Sequence, residues 1–201
     1  RIAGPRLDGR RLDPKNEWGD DVLWWLDRMI RSRRPLQEKL TLFWHDHFAT
    51  TEQDTPLMLA QNRMLRRHAL GSFPTLLESV TRDTAMQLFL SLANSSKDSP
   101  NENYARELME LFTLGRGYRE RDIRQAARAL TGFRSDWHDD GSVTTSYDRE
   151  WHDTGVKRVF GKAGRFDWHD VLDLCVRHPA HDRHVEQQAV EEIARRAEHE
   201  H

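Results

Sequence analysis

The triplet Trp-His-Asp occurs four times in this chain, at Trp44-His45-Asp46, Trp137-His138-Asp139, Trp151-His152-Asp153 and Trp168-His169-Asp170. Imidazole beside carboxylate is the raw material of metal binding and of proton transfer near neutral pH. The first triplet lies in LFWHDHFAT, a segment apolar nearly all round. On a helix, His47 falls on the stripe of Leu40, Phe43 and Trp44, and His45 on the neighbouring side with Leu42. A buried imidazole needs a partner for each nitrogen. Each of the two is therefore either a satisfied core residue or part of an acid–base or metal site. Their i,i+2 spacing points them about 200° apart, so they do not ligate one ion together. One serves a site and the other orients the structure.

A second set of titratable groups lies in SPNENYARELMELFTLG. Asn103, Glu107 and Glu110 share a helix face at spacings of four and three, and Glu102 can pair with Arg106 at i,i+4. Carboxylates projecting from one helix at i and i+3 present ligands to a metal, and they also describe any solvated helix. A third set is His152-Asp153, followed by Thr154-Gly155 in a turn whose Asp accepts backbone N–H bonds. That histidine either completes a site over the helical core or lies on the surface. The second triplet reads as a polar turn and the fourth as the capped first turn of a helix. Neither is assigned chemistry.

These residues define a candidate site between the two strongest helices. His45, His47 and Glu107 are its catalytic candidates, and Asn101, Asn103 and Arg106 its substrate contacts. Glu110, His152 and Asp153 are candidate ligands for a divalent metal that would activate water for hydrolysis. Without a metal, a His–Glu pair still moves protons. The competing reading is a non-catalytic helical module that binds a partner protein or an envelope polymer. There Asn101, Glu102, Arg106 and Glu107 are caps and salt bridges, and His45 and His47 are buried hydrogen-bonding groups. Neither reading names a substrate.

The elements that must position these groups follow from capping and periodicity. Residues 1–19, with Gly4-Pro5, Asp13-Pro14 and Gly19, form an extended basic lead-in. Asp20 or Asp21 caps a helix to about Arg33, and Pro35 opens the next through LQEKLTLFWHDHFAT. Further helices cover about Leu57 to Ala69, ending in a left-handed cap at Gly71, then Phe73 to Val80 and Thr84 to Leu92. Ser99 caps the helix from Pro100 to Leu114, Glu102 completes a capping box, and Gly115 ends it. A helix from Arg121 to Thr131 stops at Gly132. Alternating stretches such as SVTTSY and VKRVF give residues 133–166 short strands. Helix resumes at Asp167, runs to Arg177, and is followed from Asp182 by a polar helix short of a packing partner. The expectation is a mostly α, multi-helix globular domain with a small β-hairpin-like insertion. It divides into a helical core over 1–132, the insertion over 133–166 and C-terminal helices over 167–201.

Bulk composition narrows the classes. Of 201 residues, 37% are hydrophobic and 32% charged, but seven Trp and eight Phe supply large groups for a core. The net charge of −2 mixes both signs, and the arginines at 116, 119, 121, 124 and 128 are diluted by Glu120 and Asp122. No basic stripe with interleaved aromatics appears, so nucleic acid is not the expected partner. The single cysteine, Cys175, forbids an intrachain disulfide and reads as a buried inert thiol. No run approaches the ~18 apolar residues of a membrane helix. Starting at Arg1 without a signal peptide, the chain reads as a mature form or a fragment.

Five motifs in order, LFWHDHFAT, SPNENYARELMELFTLG, AARALTGF, HDTGVKRVFG and DVLDLCVRHPA, resemble the bacterial domain-of-unknown-function family 1800 over about residues 35–181. The resemblance implies a mostly helical bacterial protein, often exported to the periplasm or beyond, and no established reaction. It implies a central portion of a longer protein, departing from the family pattern after Pro179. The first and third triplets fall inside these motifs; the second and fourth fall between them. FWHDHF also resembles the distal-histidine helix of plant-type peroxidases. Thr41 stands where those carry an Arg and no proximal ligand is identifiable, so haem is not the expected cofactor.

Overall fold

The computed structural model describes residues 6–7, 9–17 and 19–198, without the side chains of 7, 189 and 192–198. Part of the lead-in, including Gly4-Pro5, and the last three residues lie outside the described residues, as do the side chains of Ile193 and Ala197.

Helices dominate and short antiparallel pairs join them. The described lead-in holds β1 (Arg6–Leu7) and β2 (Arg10–Arg11), followed by α1 (Asp20–Arg31), α2 (Pro35–Phe48), α3 (Thr55–His68), α4 (Phe73–Thr81) and α5 (Thr84–Phe89). After a 3₁₀ turn at Leu92–Asn94 come α6 (Asn103–Glu107), a π-type turn over Leu108–Thr113 and α7 (Glu120–Ala129). Two hairpins follow, β3 (Phe133–Trp137) with β4 (Val143–Tyr147), and β5 (Lys157–Val159) with β6 (Lys162–Gly164). The chain ends in α8 (Trp168–Val176) and α9 (His181–Glu198). The mostly α class with hairpins between helices is what periodicity implied, although the strands begin earlier, in the lead-in.

Several boundaries shift for identifiable reasons. Asp20 does not cap α1; its buried carboxylate accepts both Nη atoms of Arg10 at 2.6 and 2.7 Å and the Asp13 N–H at 2.8 Å, tying the lead-in to the helix. α3 starts at Thr55, two residues before the expected start, capped by Asp54 through the Leu57 N–H, and Gly71 is not left-handed. The expected capping box of Ser99 and Glu102 does not form. Ser99 bridges back to Ser96, Ser95 Oγ accepts the Asn101 N–H, and Asn101 Oδ1 accepts the Asn103 N–H. These bonds hold residues 96–101 in turns, so α6 starts three residues after Pro100. Asp167 and Asp170 do form a reciprocal capping box on α8.

The core centres on α6 and its π-type extension. Tyr104, Leu108, Met109 and Phe112 meet Leu76, Leu77 and Val80 of α4, Ile123, Ala126 and Ala127 of α7, and Val171 and Cys175 of α8. Tyr104 is fully enclosed and shares a 2.7 Å hydrogen bond with Thr81 Oγ1. The Cys175 thiol is buried and pushed up to about 12 by loss of water, an inert group as expected. α9 is not unpartnered: it packs on α2 and on the π-type turn.

A buried ion pair closes the α1–α2–α3 corner. Glu38, 2% exposed, accepts the Arg66 Nε at 3.0 Å on both oxygens and the Arg28 Nε at 2.8 Å. The two guanidinium carbons lie 5.8 and 5.9 Å from the Trp24 ring. Removing one member of a buried pair strands the other charge. Glu38→Ala is expected to lower unfolding free energy by roughly 3 kcal/mol, and Glu38→Leu with Arg66→Met to restore most of it. Urea unfolding checks both; an unchanged midpoint in the single variant contradicts the account.

Candidate functional site

α2 presents its two histidines to opposite sides, as their spacing requires. His47 faces the π-type turn, where Leu114 N–H reaches back five residues to Met109 O at 3.1 Å. The wider turn leaves the next carbonyls without helical partners, and imidazoles take them. His47 Nε2 lies 3.1 Å from Phe112 O, His181 Nδ1 3.0 Å from Thr113 O, and His184 Nε2 2.7 Å from Leu111 O. A carbonyl only accepts, so each of these nitrogens carries the proton. Gln188 Nε2 donates to Leu111 O as well, at 3.2 Å. Gly115, at φ 66°, adopts the left-handed conformation next to this cluster, and a Cβ there would collide with the His184 ring.

Around His47 pack the rings of Phe43, Trp44, Phe48 and Phe73, while its remaining side lines a cleft of about 370 Å³ with Asp46, Leu111 and Gln188. Burial depresses its pKa to about 4, helped slightly by His184 and His181 and opposed by the bond to Phe112. Its Nδ1 and the Gln188 Oε1 are both buried without a partner in bonding geometry. His47 is therefore a neutral, apolar-walled carbonyl cap.

His45 points the other way, into a cleft of about 250 Å³ between α1, α2 and α3, lined by Trp24, Trp25, His45, Glu52, Leu59 and Asn62. The Trp25 and His45 rings meet edge to face at 5.1 Å. Burial lowers the His45 pKa, and Asp46 opposes the shift. Among the described residues the His45 nitrogens have no hydrogen-bond partner. Trp25 Nε1 and both polar atoms of the Asn62 carboxamide are buried and equally without partners. Asn62 is only 7% exposed. Sequence periodicity did not single it out, yet a signal was there: three residues after Leu59 and three before Leu65, it is a polar residue on a buried stripe.

The acidic face of α6 is elsewhere. Glu107 is raised in pKa by burial first and Glu110 second, with Arg106 opposing. Glu110 is exposed and faces Tyr118. Arg106 pairs with Glu120 at 2.8 Å and with Glu102 at 3.4 Å, the i,i+4 contact the spacing implied. Asn103 is exposed, and Asn101 spends its side chain on the turn into α6. No hydrogen bond or ion pair joins these groups to His45 or His47 among the described residues.

The third triplet forms a separate corner. His152 Nδ1–H donates to Thr131 O at 2.9 Å, and Thr131 Oγ1 accepts the Asp153 N–H at 2.8 Å. Asp153 binds Arg128 at 2.7 Å and lies 4.0 Å from the Lys157 Nζ. Lys157, 1% exposed, donates to the carbonyls of Asp153 and Phe166. Burial lowers the pKa of both His152 and Lys157. Thus Glu110 lies apart from His152 and Asp153, and among the described residues no three His, Cys, Asp or Glu side chains are grouped to hold a metal ion. His181, His184 and Lys157, which organise these sites, were not singled out from sequence; HPAHDRH, with imidazoles at i and i+3, was the available clue.

A family model described as "Protein of unknown function (DUF1800)" matches residues 9–197. The match runs past Pro179 through the polar helix and begins well before Pro35, so the family pattern covers more of the chain than its five motifs. No curated protein and no solved structure matches. No helix among the described residues is long and apolar enough to cross a membrane.

The depressed pKa of His47 gives acid sensitivity a definite sign. Between its ordinary value of 6.5 and about 4, the unfolded chain binds a proton at His47 that the folded chain refuses. Stability from this residue is full above pH 6.5, falls with pH, and levels below pH 4 after a loss of roughly 3 kcal/mol at most. His47→Leu is therefore expected to flatten the stability profile between pH 6.5 and 4 relative to the parent, whatever its effect at neutral pH. Urea titrations across that range supply the difference curve, and parallel curves would rule out this role for His47.

Proposed function

The chain belongs to the DUF1800 family, and from its own geometry we propose that it is a non-catalytic helical module that binds a ligand carried on a bacterial envelope polymer, with the α1–α2–α3 cleft as the binding site. One observation carries this reading: Asn62 and Trp25 are lining residues of the cleft beside His45, and each has buried polar atoms that nothing among the described residues satisfies. Leaving such a group unpaired costs about 1–3 kcal/mol, and a ligand that pairs with it recovers that energy on binding. The envelope setting comes from the family resemblance to exported proteins.

The hydrolytic reading, with His45, His47 and Glu107 moving protons and Glu110, His152 and Asp153 holding a metal, draws less support. General acid–base work requires the base within hydrogen-bond reach of the acid it serves. Here His47 is committed to Phe112 O, His152 to Thr131 O, and Glu107 to the surroundings of Glu110 and Arg106. Among the described residues His45 is the one of these three histidines with neither ring nitrogen engaged, and it lines the cleft.

A binding site that sacrifices stability is improved by filling it with an apolar group. Asn62→Leu is expected to raise unfolding free energy by about 1 kcal/mol, or roughly 2–4 °C in melting temperature, with no ligand present. A drop of similar size would mean that the carboxamide serves the fold, and the cleft would lose its claim.

A further inference from the structure

We infer that the cleft takes a single neutral sugar ring, the terminal or exposed unit of a glycan. This rests on the binding reading above and specifies its ligand class from the chemistry of the lining.

The donor and acceptor pattern selects the class. Asn62 offers two N–H donors and a carbonyl acceptor, Trp25 one N–H donor, and a neutral His45 one of each. Asp21 and Glu52, also on the lining, only accept. A phosphate or carboxylate only accepts, so it would leave the acceptors unmatched and meet two like charges. An ammonium only donates, so it would leave the Asn62 and Trp25 N–H groups unmet. A hydroxyl does both, and a ring carrying several of them satisfies a mixed set at once.

The remaining wall is apolar and aromatic. Trp24, Trp25, Met58 and Leu59 line it. The negative face of an aromatic ring suits the weakly positive C–H face of a pyranose. Arg28 and Arg66 both lie against the Trp24 ring, and both are fixed by Glu38. The wall is therefore rigid before the ligand arrives, which limits the ordering cost of binding. A volume of about 250 Å³ suits one ring rather than a chain of them, and Thr51, an exposed residue of the lining, places the opening at the surface. A glycan would then enter by one unit and leave along the surface.

The test is titration of the intact protein, followed by tryptophan emission, with neutral hexoses, N-acetylated hexosamines and their short oligomers. Inorganic phosphate and choline serve as the anionic and cationic controls. At least one neutral sugar is expected to give a saturable change that Trp25→Phe suppresses and Asn62→Leu weakens about tenfold or more. His45→Gln, which keeps a donor and an acceptor, should retain most of the response. An oligomer that binds no tighter than its monomer supports a one-ring site, and a steep gain with length overturns it. Saturation by phosphate or choline in place of sugars also overturns the sugar assignment, as does a sugar response unchanged in Asn62→Leu. In those cases a higher melting temperature of Asn62→Leu would leave the cleft standing as a site for another ligand. A lower one would remove both.

Discussion

The π-type turn after Glu107 is the constraint on which the rest of this structure hangs. A helix that widens by one residue leaves carbonyls its own N–H groups cannot reach. Three consecutive ones, on Leu111, Phe112 and Thr113, are met by imidazoles from α2 and α9. Each unmet buried carbonyl would cost on the order of 1–3 kcal/mol. Segments more than sixty residues apart in the chain are thereby fixed to the same turn, with His47 and Phe112 separated by 65 residues and His184 and Leu111 by 73. The rings of Phe43, Trp44, Phe48 and Phe73 pack around the His47 imidazole and lower the polarity beside the bond. Low polarity strengthens a satisfied hydrogen bond and makes a broken one expensive.

That anchor also decides what the other histidine of α2 can do. Once His47 is pinned to Phe112, the rotation of α2 about its axis is set, and His45 must face α1 and α3. The two imidazoles of one family motif thus divide into one that holds the fold and one that opens on a cleft. A similar division separates the first triplet from the third. Around His152 and Asp153, the imidazole Nδ1, the Asp153 N–H and the Asp153 carboxylate find partners in Thr131, Arg128, Gly155 and Lys157, which makes the corner a clasp between the α7 end and the loop before β5.

Capping chemistry and periodicity made much of the fold legible in the sequence. Pro35, Asp167 with Asp170, and the alternation in SVTTSY each placed an element, because the information is local. The capping of α6 departs from the local pattern, since Ser95 and Ser96 compete for the residues that would form the box. The π-type turn escaped because an apolar set as broad as Leu108, Met109, Leu111 and Phe112 reads the same with or without one extra residue in the turn. The candidate site was legible only by halves. The i,i+2 geometry correctly opposed His45 and His47, but it could not say which elements would meet each face. Asn62 and Trp25 depend on how α1 and α3 approach, a tertiary fact without a sequence signature beyond one polar residue in a buried stripe.

The distribution of unmet polar atoms argues that the cleft is more than loose packing. Seven buried side-chain polar atoms among the described residues lack a partner. Three of them belong to Trp25 and Asn62 on the cleft lining, and a fourth to Arg66, one turn further along α3 from Asn62. Two more, on His47 and Gln188, belong to one neighbourhood and reflect an imidazole held neutral. Only Gln87 stands apart. Native proteins satisfy nearly all such groups, and here the neighbouring elements do so even for a fully enclosed lysine. A fold able to satisfy Lys157 but leaving a carboxamide and an indole unmet beside an open cleft has its polar deficit concentrated where a ligand can correct it.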